Sequence, residues 1–136
     1  MLLQCNRKCE MSGIDYMADT NALIYLLSGD SCMKPYLTSY IGLSVISEME
    51  LLSFPGITSA EDRRIRSFIK NCTVLFLTET IKNKTIALRR SHKIKLPDAI
   101  IAATAIENDF QLITADKGFK QITELNLMLI EPARPK

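Results

Sequence analysis

Residues 95–116 carry the most informative pattern in the chain, KLPDAIIAATAIENDFQLITAD. Pro97 is expected at the first position of a helix, because its fixed φ angle suits that position. The helix is apolar on nearly all sides, which predicts that it is buried. QLITA, at residues 111–115, is then typical of a short strand. A buried helix that leads directly into a strand indicates an α/β protein.

The segments on either side continue this alternation. The predicted strands are residues 15–19, 41–45, 73–77, 111–115 and 125–130, and the predicted helices are 20–29, 48–54, 59–72, 79–92 and the one that begins at Pro97. Thr20 or Asn21 is expected to cap the first helix, and Gly29 to end it. TVLFL, at 73–77, is continuously apolar and predicts a strand covered on both faces. We therefore expect a three-layer α/β fold, with a central parallel sheet of about five strands flanked by helices.

The length and composition fit a single globular domain. The chain has 136 residues, of which 47% are hydrophobic and 24% charged, with 5 Gly and 5 Pro. This composition excludes disordered, collagen-like and low-complexity classes. No apolar run approaches the roughly 20 residues of a membrane-spanning helix, and the first residues are too polar for a signal peptide, so a cytoplasmic protein is expected. We place a disordered extension at residues 1–14, the domain at 15–131 and a tail at 132–136.

The cysteines and the histidine form no metal motif. The four cysteines include no CxxC pair, and His92 is the only histidine. A zinc site of the Cys/His type is therefore not expected, and His92 is interpreted as a solvated surface residue.

Four acidic residues are expected at one edge of the sheet. Asp19 closes the first strand and Asp116 follows the fourth, and ligands of open α/β sheets bind beyond the carboxyl ends of the strands. Asp98 lies in the first turn of a helix, where the helix dipole favours a carboxylate, and Glu48 lies in the first turn of another helix, so its side chain can turn toward the same edge. Clustered carboxylates repel one another unless a cation or proton intervenes, and oxygen ligands without histidine suit Mg²⁺. Each acid alone also has a purely structural explanation, as a cap, a dipole partner or a turn residue.

Four segments resemble PIN-domain ribonucleases, particularly the VapC-like toxins of bacterial type II toxin–antitoxin pairs. The segments are YMADTNALIYLL (16–27), SVISEMELLSFPG (44–56), KLPDAIIAATAI (95–106) and LITADKGF (112–119). The resemblance implies a PIN-like fold over residues 15–131. It implies a catalytic centre that binds metal through Asp19, Glu48, Asp98 and Asp116. It also implies orienting roles for Asn21 and Thr114.

The resemblance further implies hydrolysis of RNA phosphodiester bonds that depends on Mg²⁺ or Mn²⁺. A bound cation would lower the pKa of a water and stabilise charge on the phosphate oxygens, so no side-chain nucleophile is required. Many relatives carry a further aspartate where this chain has Gly118, which leaves open whether one or two metals bind. The family also implies a homodimer and a cognate antitoxin protein as partners.

Basic residues lie close to the acidic positions in the sequence. The chain has 17 basic and 15 acidic residues, so setting aside the four site acids leaves 11 acids and a net charge of +6. A positive surface favours a polyanionic partner. The candidates for contacts with RNA phosphates are Arg89, Arg90, Lys93, Lys95 and Lys117. The same residues also fit an ordinary solvated helix end, so both interpretations stay open.

Other functions fit parts of the pattern. A phosphoaspartate-type phosphatase or a receiver domain also places aspartates at strand ends, but the phosphatase signature needs an aspartate where this chain has Asn21. A catalytically silent PIN-like module would bind RNA or protein without cleavage. Because a metal–carboxylate site does not itself select the sugar, DNA cleavage stays open as well.

Overall fold

Strands and helices alternate through residues 13–133, the part of the chain that the computed structural model describes. The strands are β1 (Tyr16–Ala18), β2 (Ile41–Ser44), β3 (Thr73–Leu75), β4 (Leu112–Thr114) and β5 (Leu127–Leu129). The α-helices are α1 (Thr20–Ser28), α2 (Val45–Leu52), α3 (Ser59–Lys70), α4 (Glu79–Ser91) and α5 (Leu96–Asn108). Short 3₁₀ helices cover Ser31–Tyr36 and Lys117–Gln121.

The five strands form one parallel sheet in the order β3-β2-β1-β4-β5. Strand β1 is central, because Met17 pairs with Gly42 of β2 on one side and with Leu112 of β4 on the other. The chain moves outward from β1 to β3 and then returns to β4, so the strand order reverses between β1 and β4. Ligands of open α/β sheets bind at such a reversal, beyond the carboxyl ends of the strands. Asp19 and Asp116 follow these two strands.

Helices cover both faces of the sheet, which confirms the predicted three-layer fold. Met17 and Leu112 pack on one face with Ile101 and other residues of α4 and α5. Their neighbours Ala18 and Ile113 pack on the other face with residues of α1, α2 and α3. Adjacent residues of a strand point to opposite faces, so each central strand contributes to both cores.

The cap of α1 differs from the prediction. Asp19, rather than Thr20 or Asn21, is the N-cap, and its Oδ1 accepts a hydrogen bond from the Ala22 N–H at 2.9 Å. Gly29 ends the helix as predicted, with a φ angle of 78° that glycine adopts without steric cost. A residue of the expected acidic site therefore also fixes the start of α1.

Strand β3 lies at the edge of the sheet and is only partly buried, with Thr73 exposed, which corrects the prediction that residues 73–77 form a strand covered on both faces. The strand ends at Leu75, and Phe76 and Leu77 are 65% and 48% exposed. A short apolar run has the same appearance in an edge strand and a central strand, so the sequence does not separate the two.

Helix α5 begins one residue earlier than predicted. Lys95 is the N-cap, so Pro97 is the second helical residue rather than the first. Proline is tolerated there because the N–H groups of the first turn have no acceptor within the helix. Asp98 follows as the third helical residue, close to the positive end of the helix dipole.

The packed part of the chain begins before residue 15. Ile14, which the sequence assigns to the disordered extension, packs against the core and against Gly42, where a Cβ atom would lie 3.1 Å from Ile14. Residues 1–12 and 134–136 lie outside the described residues, so the predicted extension stays a prediction there. Within residues 13–133, the helices are too short or too polar to cross a bilayer.

Candidate functional site

Asp19 is a buried acid at the carboxyl end of β1, with 5% of its surface exposed. Its Oδ2 accepts a hydrogen bond from the Thr114 hydroxyl at 2.5 Å, in addition to the capping bond to Ala22. The pKa of Asp19 is raised to about 6, mainly because burial removes water from the carboxylate. The charges of Asp98 and Asp116 act in the same direction, while the two hydrogen bonds lower the pKa. A neighbouring cation or a proton would stabilise this carboxylate.

Thr114 connects Asp19 to Asp116. The Thr114 hydroxyl donates to Asp19 and accepts a hydrogen bond from the Asp116 N–H at 3.0 Å. Asp116 Oδ1 accepts in turn from the Gly118 N–H at 2.8 Å. A Cβ atom on residue 118 would lie 3.1 Å from this oxygen, so glycine allows the turn to close on the carboxylate.

Asp98 approaches the site from the first turn of α5. Its carboxylate is partly buried, and burial is the main cause of its raised pKa. The charges of Asp116 and Glu50 raise the pKa further, while Lys95 lowers it. Because Asp98 and Asp116 also act on Asp19, the structure brings these three predicted acids into one electrostatic site.

Glu48 does not lie with these acids, which corrects its predicted position. It lines a separate cleft, whose other charged residues are Arg63, Arg66 and Lys70 of α3. The buried residues Ser47 and Leu51 mark the inner face of α2, and Glu48 borders this face on one side while Glu50 borders it on the other. The rotation of α2 on the sheet turns the Glu50 side toward α1.

Glu50 takes the place that the sequence assigned to Glu48. Its Oε1 accepts a hydrogen bond from the Thr20 hydroxyl at 2.5 Å, and the same hydroxyl lies 2.9 Å from Ser47 Oγ. Thr20 is the residue after Asp19, so this contact holds Glu50 beside the start of α1. The sequence carried no signal for Glu50, because both glutamates border the inner face of α2 equally.

The acids form an open site rather than a closed metal cage. Within residues 13–133, no three Asp, Glu, His or Cys side chains come close enough together to hold a metal ion. Asp98 and Asp116 line the same cleft. Such a site suits a hard cation that keeps several waters and takes only one or two carboxylates, as Mg²⁺ does in proteins.

The cleft that contains Asp98 and Asp116 has a basic rim. The exposed residues Lys93 and Lys95 line it, in the loop that joins α4 to α5. Gln121 lines the cleft from the other side, in the 3₁₀ helix after Asp116. The two lysines therefore place positive charge beside the acidic site.

The remaining predicted site residues lie on the protein surface. Arg89 and Arg90 are exposed in the last turn of α4, where Arg89 Nε donates to the Ile94 carbonyl at 3.2 Å. Lys117 is exposed at the start of the 3₁₀ helix, and Asn21 is exposed in the first turn of α1. None of these placements assigns the residue a role by itself.

The chain is a parallel α/β domain with acidic residues at the carboxyl ends of its central strands. A model of the PIN domain matches residues 16–125, so the chain belongs to the PIN-domain family. The chain is similar to one chain of a toxin–antitoxin complex from Klebsiella pneumoniae, at 32% identity and a TM-score of 0.71. That match covers 81% of this chain and 94% of the other.

Two further solved structures share the fold. The match to VapBC-1 from nontypeable Haemophilus influenzae has 25% identity and a TM-score of 0.73, and covers 84% of this chain and 96% of the other. VapBC2 from Rickettsia felis, bound to a DNA fragment from its promoter, matches at 21% identity and a TM-score of 0.74, over 85% and 98% of the two chains. No curated protein gave a match. The predicted similarity to VapC-like PIN toxins is confirmed.

Proposed function

We propose that this chain is a metal-dependent endoribonuclease of the VapC-like toxin type. The observation that carries the proposal is the burial of Asp19 beside the charges of Asp98 and Asp116, which raises its pKa to about 6. Such an arrangement is unfavourable for folding and is typical of functional sites. Membership of the PIN-domain family supports the same conclusion.

Mg²⁺ or Mn²⁺ fits the donors of this site. Every candidate ligand is a carboxylate oxygen, and the acids concerned are Asp19, Asp98, Asp116 and Glu50, of which one or two would bind the cation directly and the others through its waters. When bound, the cation supplies a lowered pKa for an attacking water and positive charge for the phosphate oxygens. The open geometry leaves room for these waters and for an RNA phosphate.

The hydroxyls around the acids hold them for this task. Thr114 orients the Asp19 carboxylate and fixes the backbone of Asp116, because one hydroxyl bonds to both residues. Thr20 orients Glu50 in the same way. Both threonines are neutral, so they restrict the carboxylates without cancelling the charge that attracts a cation.

RNA phosphates on either side of the scissile bond are proposed to contact the basic rim. Lys93 and Lys95 are the best placed, since they line the cleft that contains Asp98 and Asp116. Arg89, Arg90 and Lys117 extend this positive surface, and Asn21 is proposed as an orienting residue beside Asp19.

Cleavage of defined RNAs by the purified chain tests the proposal. We expect cleavage with Mg²⁺ or Mn²⁺, loss of cleavage with EDTA, and loss with Asp98→Asn. Glu107→Gln is the matched control, because Glu107 is an exposed acid at the other end of α5. Cleavage that survives both EDTA and Asp98→Asn would overturn the proposal.

Further assays on the same purified chain separate the alternative functions. A silent PIN-like module would bind RNA without cleaving it and would show no Mn²⁺ binding by calorimetry. Cleavage of single-stranded DNA at the same rate would remove the assignment to RNA. A phosphoaspartate-type phosphatase is no longer a candidate, since the chain belongs to the PIN-domain family.

We also propose that an antitoxin protein binds this chain, as in the Klebsiella pneumoniae toxin–antitoxin complex. An apolar groove between α1, α2 and α3 is lined by residues that include Ile24, Leu27, Leu51, Phe54 and Ile65. Glu50 lines this groove and also acts on Asp98, so a segment bound in the groove would reach the acidic site. Purified antitoxin should inhibit cleavage, and Phe54→Asp should weaken that inhibition while leaving cleavage intact.

A homodimer is the second assembly that we propose. Phe76 and Leu77 follow the edge strand β3 and are exposed, so a second copy of the chain has apolar surface to cover. Sedimentation velocity should give twice the mass of the chain, and Phe76→Ser should shift the distribution toward the monomer. A wild-type monomer at micromolar concentration would contradict this proposal.

A further inference from the structure

Gln121 joins the two segments that carry Asp98 and Asp116. Its side-chain Nε2 donates to the Lys93 carbonyl at 3.2 Å and to the Gly118 carbonyl at 3.1 Å. Lys93 lies in the loop before α5, and Gly118 lies in the 3₁₀ helix after Asp116. One amide group therefore ties the segment after Asp116 to a loop residue that lies 28 positions before Gln121 in the chain.

The tie is connected to Asp116 by hydrogen bonds and to Asp98 by the backbone. Asp116 Oδ1 accepts a hydrogen bond from the Gly118 N–H, and the Gly118 carbonyl accepts one from Gln121 Nε2. On the other side, Lys93 lies two residues before Lys95, the N-cap of the helix that carries Asp98, and the Lys95 carbonyl accepts from the Ala99 N–H at 2.9 Å. A shift of Gln121 would thus act on both acids at once.

The chemistry of the amide suits this position. Asp98 and Asp116 repel each other, so the backbone around them must be held against a force that separates them. A neutral amide donates two hydrogen bonds to carbonyls without adding charge to a site that must attract a cation and also admit a phosphate. Lysine or arginine would neutralise the acids, and glutamate has no donor.

We propose that Gln121 is a positioning residue, which holds the loop before Asp98 against the turn after Asp116 and so sets the separation of the two carboxylates. The inference rests on the proposed function. It assigns Gln121 no contact with the substrate, because both of its hydrogen bonds go to backbone carbonyls.

Gln121→Met tests the inference, because methionine keeps the length of the side chain and removes its donors. We expect the dissociation constant for Mn²⁺, measured by calorimetry without RNA, to rise about tenfold, and kcat to fall by a similar factor. We expect KM for a defined RNA to change less than about twofold, since an interaction that matters at the reacting centre lowers kcat. The melting temperature should stay within about 2 °C, because the side chain is exposed.

Gln111→Met is the matched control. Gln111 is a partly exposed glutamine at the start of β4, at the opposite edge of the sheet, and its Nε2 lies 3.4 Å from Asn126 Oδ1. The control should keep wild-type Mn²⁺ affinity and kcat. Gln121→Glu is a second variant without donors, and its kcat should fall as in Gln121→Met even though its added carboxylate attracts the cation.

Wild-type Mn²⁺ affinity and kcat in Gln121→Met would overturn the inference, and so would an equal loss in Gln111→Met. If the wild-type chain binds Mn²⁺ and cleaves RNA while Gln121→Met is unchanged, only this inference fails. If the wild-type chain neither binds Mn²⁺ nor cleaves RNA, the proposed function fails and the inference falls with it.

Discussion

Asp19 links the chemistry of the site to the stability of the fold. Its pKa is about 6 in the native state, compared with its ordinary value of 3.8. The carboxyl group of Asp19 therefore binds a proton more tightly in the native state than in the unfolded chain. The resulting stabilisation is complete below pH 3.8 and is lost as the pH rises through 6. A shift of about two pKa units corresponds to a change of about 3 kcal/mol in the free energy of unfolding.

Asp19→Asn should stabilise the chain at neutral pH. Asparagine keeps an oxygen that can cap α1 and removes the buried charge, so we expect the free energy of unfolding at pH 7.5 to rise by about 1–3 kcal/mol. Urea unfolding followed by circular dichroism, with EDTA present at pH 4 and pH 7.5, measures the effect. The stability of the variant should vary less between the two pH values than that of the wild type.

Glu107→Gln, at an exposed acid, controls for this experiment and should leave the pH dependence unchanged. An Asp19→Asn variant that is less stable than the wild type at pH 7.5 would contradict the prediction. In that case the hydrogen bonds of the carboxylate would outweigh the cost of its burial.

Glu50 and Glu48 should differ sharply in their effect on cleavage. Glu50→Gln removes a charge that acts on Asp98, and we expect cleavage with Mg²⁺ to fall roughly 10–100-fold. Glu48→Gln should change cleavage less than about twofold, because Glu48 lies in a separate cleft. Initial rates on one defined RNA, at saturating Mg²⁺, measure both. The reverse result would restore Glu48 to the catalytic site.

The N-terminal cap of helix α3 should contribute to the stability of the fold and not to cleavage. Thr58 and Glu61 form a capping box, in which the Glu61 N–H donates to Thr58 Oγ1 at 3.1 Å and the Thr58 N–H donates to Glu61 Oε1 at 2.9 Å. Thr58→Ala should lower the free energy of unfolding by about 1 kcal/mol and leave cleavage unchanged. Thr123→Ala, at an exposed threonine outside the helices, should change neither. A loss of cleavage in Thr58→Ala, measured below its melting transition, would show that α3 contributes to the site.

The elements show which features a sequence determines locally. Strand and helix positions follow from apolar patterns and caps, and the common direction of parallel strands places Asp19 and Asp116 at the same edge of the sheet. The position of Asp98 follows equally from its place in the first turn of α5. These residues lie at ends of elements, where the position along the chain largely decides the position in space.

Features that depend on the rotation of a helix, or on the packing of distant elements against each other, were not predictable from the sequence. Glu48 and Glu50 border the same helix face, and only the packing of α2 on the sheet selects Glu50. The edge position of β3 depends on the order of the strands, which its apolar run does not encode. Gln121 has no sequence signal at all, because its role depends on a carbonyl 28 residues away.

At the scale of the whole molecule, the residues outside the acidic site carry a net positive charge. Setting aside Asp19, Glu50, Asp98 and Asp116 leaves 17 basic and 11 acidic residues, a net charge of +6. A polyanion is thus attracted to the surface as a whole while the site itself favours a cation. The affinity for RNA should therefore depend strongly on salt, because bound RNA releases the counterions of its phosphates.

Lys93→Ala/Lys95→Ala should reduce this salt dependence. For single strands, the logarithm of the binding constant falls by about 0.7 per phosphate contact for each tenfold increase in salt, so the loss of two contacts should lower the slope by about 1.4. Fluorescence anisotropy with a labelled RNA measures the slope, in an Asp98→Asn background that prevents cleavage. Lys34→Ala/Lys70→Ala removes the same charge from residues that precede β2 and β3, at the opposite edge of the sheet, and should leave the slope unchanged. Equal slopes in the two double variants would mean that RNA responds to the net charge of the molecule and that the rim of the cleft makes no phosphate contacts.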